Sequence, residues 1–229
     1  MNKQTSATVM TAIVVAAFVL IGGLPAQGAV VDYNWTNDGA DNYWTTDANW
    51  EQNEYPPDHE TAVYINAGET DAALLDSPAN VGQYDPVSPA GVGYGAYTIG
   101  GLHLGTNGKT GVLNIENDGG FKTYDTDRVS DVGTGGGTGT LNLKGGVASS
   151  AFDNWSIGVG TGSQGTVNLT EGFFQQSRHS MGGIGTEGGT GLFNITGGEV
   201  NVSGGVPVGA GGAFRIGGSD AVNIHLNTG

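Results

Sequence analysis

Four short stretches decide the fold: GVLNIENDGG at 111–120, GTLNLKGG at 139–146, GTVNLTEG at 165–172 and GLFNITGG at 191–198. Each stretch contains a glycine, any residue, an apolar residue, an asparagine and another apolar residue, followed by further glycine. The shared asparagines stand at positions 114, 142, 168 and 194, in steps of 28, 26 and 26 residues. A regular period of this length is typical of solenoids, propellers and other repeat architectures.

The apolar residues on either side of each asparagine follow the two-residue period of a strand with one buried face. The asparagines are therefore predicted to point outward and to stack as a ladder, with neighbouring Cα atoms about 4.8 Å apart. The predicted ladder consists of Asn114, Asn142, Asn168 and Asn194. The predicted core consists of Leu113, Ile115, Leu141, Leu143, Val167, Leu169, Phe193 and Ile195.

A second glycine recurs upstream of the repeated strands. It is found at Gly105, Gly133, Gly160 and Gly185, and more faintly at Gly209. Each repeat therefore contains a strand, a glycine turn, a second strand, another glycine turn and a looser third segment, because glycine reaches turn conformations at no steric cost. This organisation predicts an all-β fold, a right-handed parallel β-helix of about five rungs. A β-propeller is the alternative, although its repeat is longer, at roughly 40 residues.

Composition divides the chain into three parts. Of the 44 glycines, 38 lie after residue 90 and only six before it, so the glycine turns belong to the C-terminal part. We predict a signal peptide at 1–28, a Trp-rich acidic β region or cap at 29–100, and Gly-rich solenoid repeats at 101–229.

The first 28 residues have the pattern of a secretory signal peptide. Lys3 precedes an uncharged apolar stretch at 9–24, and the small residues Ala26 and Gly28 are placed for cleavage after Gly28. An uncleaved membrane anchor is the alternative, but the stretch is slightly shorter than the roughly 20 residues that span a bilayer. We therefore expect a secreted or cell-surface protein with no membrane span in the mature chain.

The net charge and the absence of cysteine limit the possible partners of the protein and the possible sources of its stability. The formal net charge is −15, which argues against a nucleic-acid partner because phosphates require a basic face. The chain has no cysteine, so its stability outside the cell must come from packing rather than from disulfides.

Trp35, Trp44 and Trp50 lie within sixteen residues of one another. Flat aromatic faces can stack on sugar rings, so these three are the predicted ligand-binding residues if the N-terminal region binds carbohydrate. The alternative, which we favour, is a plug over the first rung, since each aromatic side chain buries about 150–250 Å².

The stretch from 31 to 66 resembles the opening of bacterial secreted surface proteins with autotransporter-associated β-strand repeats, and of similar planctomycete-type proteins with a C-terminal sorting signal of the PEP-CTERM type. The matching residues are Trp44, the pair Asn49 and Trp50, Pro57, Asp58 and the strand at 62–65. The glycine-rich repeats resemble the same families. The resemblance implies an exported surface protein, and it indicates architecture better than activity.

Proteins of these families usually continue into more rungs and end in a membrane-embedded barrel or a sorting helix. We therefore expect that the sequence is a fragment, or that its last rung, which ends in an alternating strand at 222–226, meets a partner. An uncapped rung of a solenoid exposes an edge that invites pairing with another chain.

Several other motifs carry little chemistry. Gly160, Gly162 and Gly165 match the G-x-G-x-x-G phosphate-binding pattern, but a strand rather than a helix follows them. Two groups of aspartates could ligate calcium, although neither fits an EF-hand loop; they are Asp38 with Asp41, and Asp125 with Asp127 and Asp131. The histidines lack metal-binding spacing. We predict no catalytic residue, no metal site and no cofactor.

These observations favour a non-catalytic structural or adhesin-like β-solenoid at the cell surface, with surface components, glycans or further rungs as its partners. One alternative is a carbohydrate-binding module that uses the tryptophans. The other is a polysaccharide lyase or hydrolase built on a β-helix, which would need a base or two facing carboxylates. The sequence shows no such group in register between repeats.

Overall fold

The structure is a computed structural model. It describes residues 31–39, 41–57, 61–68, 72–76, 97–123, 129–150, 154–176, 182–202, 208–210, 212–216 and 222–226. The predicted signal peptide lies outside the described residues. Within the described ranges, no helix has the length and apolar character needed to cross a bilayer.

The described residues form fifteen strands and one short 3-10 helix at Asp47–Asn49. In chain order the strands are β1 (Val31–Asn34), β2 (Thr61–Ile65), β3 (Ala73–Leu75), β4 (Tyr97–Ile99), β5 (Gly101–Thr106), β6 (Thr110–Thr123), β7 (Val129–Thr134), β8 (Thr138–Ser150), β9 (Asn154–Val159), β10 (Gln164–Gln176), β11 (Gly183–Ile184), β12 (Thr190–Ile195), β13 (Gly198–Val202), β14 (Gly212–Ile216) and β15 (Val222–Leu226).

These strands stack in parallel as a β-solenoid with three faces. The first face has the order β1-β2-β5-β7-β9-β11, and the second has the order β3-β6-β8-β10-β12-β14. The long strands β6, β8 and β10 continue from the second face into the third, where β4, β13 and β15 also pair. The predicted parallel β-helix of about five rungs is confirmed, and the Trp-rich segment lies near its N-terminal end.

The repeated asparagine strands keep the same register from turn to turn. Asn142 lies opposite Asn114 on one side and Asn168 on the other, and Asn168 lies opposite Asn194. Register is strongly specified here because a slip of one residue would turn the buried apolar side chains outward. Irregular register near Asn117 and between Leu169 and Phe173 marks the places where β6 and β10 leave the second face.

The solenoid includes strands on the N-terminal side of residue 100, where composition had placed the boundary between cap and repeats. Strand β2 pairs with β5, while β3 and β4 both pair with β6. These early strands lack the glycine motif, yet they supply buried residues such as Val63, Ile65 and Leu75. These strands belong to the solenoid because their apolar residues pack into its core, and glycine content alone does not predict this.

Paired glycines close the corner between the first and second faces. Gly133 has a φ of 72°, and a Cβ at this position would overlap the backbone carbonyl of Gln164 in the next turn. A Cβ at Gly165, which begins the repeated motif, would overlap the carbonyl of Val132 in the previous turn. The motif therefore opens with glycine because two backbones meet there without room for a side chain.

The register corrects one member of the upstream glycine series. Ile157 on β9 lies opposite Val132 on β7 and Ile184 on β11, so the corner glycine of this turn is Gly158 rather than Gly160. Gly158 has a φ of 62°, close to the 72° of Gly133. In the sequence Gly158 and Gly160 look alike, because each precedes a β-branched residue. In the structure a Cβ at Gly158 would overlap the backbone of the next turn, whereas a Cβ at Gly160 would not.

The corner packing predicts the effect of adding a single methyl group. We expect Gly133→Ala to lower the free energy of unfolding by about 2–4 kcal/mol, because the methyl group meets both a left-handed backbone and an occupied site. Gly136→Ala is the matched control, since Gly136 has a φ of 79° but its Cβ would lie 4.0 Å from the nearest atom. It should cost about 1 kcal/mol.

Denaturant unfolding followed by circular dichroism measures both losses. Equal losses in the two variants would contradict the close approach of neighbouring turns. Gly165→Ala, at a glycine whose φ is not positive, isolates the steric part of the effect.

Candidate functional surfaces

The three N-terminal tryptophans form a buried cluster. Trp50 is at its centre, with its ring centroid 5.1 Å from that of Trp35 and 4.9 Å from that of Trp44. Its indole Nε1 donates a 2.8 Å hydrogen bond to the carbonyl of Trp44, and the three side chains are at most 4% exposed. The faces of Trp35, Trp44 and Trp50 pack against the core rather than facing solvent, which favours the plug over the sugar-stacking alternative.

Asn49 organises the loop that carries these tryptophans. Although buried, its side chain is satisfied: Oδ1 accepts a bond from the N–H of Gly39, and Nδ2 donates to Asp41 and to the carbonyl of Tyr43. The asparagine of the Asn49–Trp50 pair is thus a structural residue. The sequence pattern places the pair within a family resemblance and indicates no role for Asn49.

Asp41, one of the predicted calcium candidates, is a turn aspartate. Its carboxylate accepts hydrogen bonds from the Thr46 hydroxyl, the Asn49 amide and the backbone N–H of Tyr43. The hydrogen bond from Thr46 has the largest effect and lowers the pKa of this carboxyl. Desolvation, the next largest effect, opposes it, and the bonds from Asn49 and Tyr43 lower the pKa further. Its lone pairs are thus engaged by the protein itself.

The same segment covers the outer edge of β1. The N–H of Glu51 donates to the carbonyl of Asn34, and the side-chain amide of Gln52 donates to the carbonyl of Asp32. On the second face, the N–H of Trp44 donates to Leu74. Strand edges are sites of unwanted pairing, so the Trp-rich segment closes this end of both sheets.

The asparagine ladder lies on the outward side of the second face. Nδ2 of Asn142 donates a 2.9 Å bond to Oδ1 of Asn114, and Nδ2 of Asn168 donates a 2.8 Å bond to Oδ1 of Asn142. Asn194 continues the row in register with Asn168. All four side chains are half-buried, so each amide keeps one side toward solvent.

The eight predicted core residues are all fully buried. Phe121 and Phe174 on the third face and Trp155 on β9 of the first face were not among the predicted core residues. Together with Phe193 they form an aromatic column, in the order Phe121, Trp155, Phe174 and Phe193, with successive centroid distances of 5.9, 5.1 and 4.8 Å. Their order follows the stacking of turns, which their sequence spacing does not display.

The outward side of the first face brings three unlike polar residues together. The ring of Tyr64 stacks on that of His103, with centroids 4.6 Å apart and 16° between the planes. Nδ1 of His103 lies 3.0 Å from Oδ2 of Asp131. These residues come from consecutive turns and do not repeat in type, so no period in the sequence reports them.

A polar cleft of about 310 Å³ opens beside this row. Its lining residues are Asp32, Asn34, Tyr64, Asn66, Thr106, Asn107 and Lys109. Part of the lining is already bonded internally, since Asn66 Oδ1 accepts the N–H of Thr106 at 2.8 Å and Asn34 Nδ2 donates to Glu51 at 2.8 Å.

No group of three His, Asp or Glu side chains is placed to hold a metal ion in the part of the chain that the structure describes. Asp131 of the second calcium candidate pairs with His103, while Asp125 and Asp127 lie outside the described residues. Of the G-x-G-x-x-G match, Gly160 and Gly162 lie in the turn between β9 and β10, Gly165 lies in β10 itself, and no helix begins there.

Comparison with known proteins gives no family. The chain matches no protein-family model, and no curated protein and no solved structure is significantly similar to it.

Proposed function

We propose that this chain is an exported, non-catalytic surface protein whose β-solenoid acts as a structural or adhesive scaffold. The observation that supports the proposal is the nature of the residues that repeat from turn to turn. They are glycines that close a corner, apolar residues that fill the core, and asparagines that bond along the outward surface. Each of these classes serves the stacking of turns.

Titratable side chains in the described residues follow a different rule. Where paired strands place titratable side chains opposite one another, these form two short rows of unlike members, Tyr64 with His103 and Asp131, and Glu116 with Lys144 and Glu171. The ion pair between Lys144 and Glu116 is exposed, with 3.0 Å between Nζ and Oε1, and exposed pairs of this kind contribute little to stability. The net charge of −15 suits a soluble surface protein and disfavours nucleic acid.

A lyase or hydrolase remains the second candidate because of one observation. His103 is oriented by Asp131 and lies in the row of Tyr64, which lines the cleft. An imidazole held in this way can accept a proton.

Turnover and location separate the two candidates. We expect antibodies to label the protein on intact cells of the bacterium that encodes it, with a mature N-terminus at Ala29. We also expect the purified protein to release no reducing ends and no unsaturated, ultraviolet-absorbing products from neutral and acidic polysaccharides. Product release that is lost in His103→Ala would establish the enzyme and overturn the scaffold proposal.

A further inference from the structure

One outward row runs along the whole second face. It begins at Tyr43, which bridges to Leu74, and Leu74 lies opposite Asn114. The four asparagines follow, and the backbone of Asn194 pairs in register with that of Arg215 on β14. Tyr43 is 41% exposed and Leu74 is half-buried, so the row passes from accessible aromatic and apolar groups to a line of amides.

The two outward rows on the N-terminal side of the asparagines along these strands hold no charged residue, whereas the row on the other side holds Glu116, Lys144 and Glu171. We call these two rows and the asparagine ladder together the ladder face. The two additional rows are Thr110, Thr138, Gln164 and Thr190, and Val112, Thr140, Thr166 and Leu192. Of these side chains only Val112 is buried. Twelve uncharged outward positions in a chain with a net charge of −15 set this surface apart.

The ladder holds its amides in a fixed orientation and leaves them hydrogen-bonding capacity. Each asparagine amide has two N–H donors and an oxygen with two acceptor sites. Asn142 uses one donor toward Asn114 and one acceptor site toward Asn168. The remaining donor and acceptor recur at every turn, about 4.8 Å apart, and their orientation is set before any ligand arrives.

The size and neutrality of the ladder face restrict its occupant. Four strands by five residues cover about 14 Å by 13 Å, roughly 200 Å², whereas a stable protein interface buries roughly 800 Å² per partner. A second copy of this chain is therefore too large a partner for so small a patch. A charged ligand would find no counter-charge among the twelve positions.

We propose that the ladder face binds a linear, uncharged polysaccharide laid along the solenoid axis. The proposal rests on the adhesive form of the function proposed above and names its substrate class. Sugar hydroxyl groups bond the free donors and acceptors of the ladder. The apolar faces of the sugar rings contact Tyr43, Leu74, Leu192 and the methyl groups of the threonines. A sugar ring is about as long as the distance between turns, so successive rings meet successive turns.

Retention on insoluble polymers tests the proposal with one matched pair of variants. Thr140→Glu places a carboxylate in the middle of the ladder face, while Thr134→Glu places the same group on β7 in the same turn but on the first face. Both threonines are half-buried. The folding of each purified variant is first checked by circular dichroism. The protein is then mixed with microcrystalline cellulose or chitin powder, and the fraction left in solution is measured.

We expect wild type and Thr134→Glu to be retained equally, and Thr140→Glu to bind about tenfold more weakly, because a buried, unpaired carboxylate opposes association. Tyr43→Ala should weaken retention about threefold or more. Retention on both polymers identifies hydroxyl groups and ring faces as the recognised chemistry, and retention on chitin alone adds the acetamido group.

Failure of wild type to bind either polymer, or equal losses in Thr140→Glu and Thr134→Glu, would overturn the inference. Both outcomes leave the scaffold function standing if the turnover assay finds no product. Release of product in that assay overturns the scaffold function whichever polymer is bound.

Discussion

Replacing Trp50 with alanine is expected to lower the free energy of unfolding by about 3–5 kcal/mol. The indole is 1% exposed, and it contacts Tyr33 as well as the two neighbouring tryptophans. Its removal leaves a cavity at the end of the solenoid and takes away the hydrogen bond to the carbonyl of Trp44. Thermal and denaturant unfolding, followed by circular dichroism, measure the loss.

Tyr43→Ala is the control for this variant. Tyr43 belongs to the same loop but is 41% exposed, so we expect its loss to cost less than about 1 kcal/mol. The pair of variants also separates stability from binding, because Tyr43 lies at the end of the outward row that contains the asparagine ladder, whereas Trp50 is buried. Equal destabilisation by the two substitutions would mean that the tryptophan cluster does not anchor the first turn.

Phe193→Ala is the second large expected loss, also about 3–5 kcal/mol. Phe193 is fully buried, and its ring meets that of Phe174 edge to face at a centroid distance of 4.8 Å. The adjacent Asn194 faces outward in the same strand, so Asn194→Ser should cost less than about 1 kcal/mol. The contrast between two consecutive residues tests the orientation of β12 directly.

Similar losses from Phe193→Ala and Asn194→Ser would mean either that β12 is inverted or that the ladder bonds act cooperatively. Asn142→Ser distinguishes these explanations, because Asn142 bonds to neighbours on both sides. A cooperative ladder makes this substitution as costly as the loss of the phenylalanine.

The sequence predicted the stacking of turns because one short motif carries three requirements at once. Glycine is required where two backbones meet, apolar residues are required in the core, and asparagine can bond to its own copy in the next turn. All three requirements recur together in β6, β8, β10 and β12, so the period of the motif reports the register of these strands. The period is less reliable where glycines cluster. Gly160 was predicted as the corner glycine, but the corner lies two residues earlier, at Gly158.

Contacts between unlike residues left no such signal. The pairing of His103 with Asp131, the three side-chain bonds of Asn49 and the column from Phe121 to Phe193 each depend on side chains that occur once in the pattern. Strands β2 and β3 were also missed as parts of the solenoid, because their turns close without the glycine motif. Their positions follow from packing between turns, which a single sequence does not display.

The corner glycines and the ladder connect each turn only to the turns on either side of it, in one repeated register. A gene that encodes such turns can therefore gain or lose a unit of about 26 codons by recombination between its own copies, and the strands brought together will already match. The Trp-rich segment stays untouched by such an exchange, since it lies against the first turns alone. The number of turns, and with it the length of the asparagine row, can therefore change during evolution by one complete turn at a time.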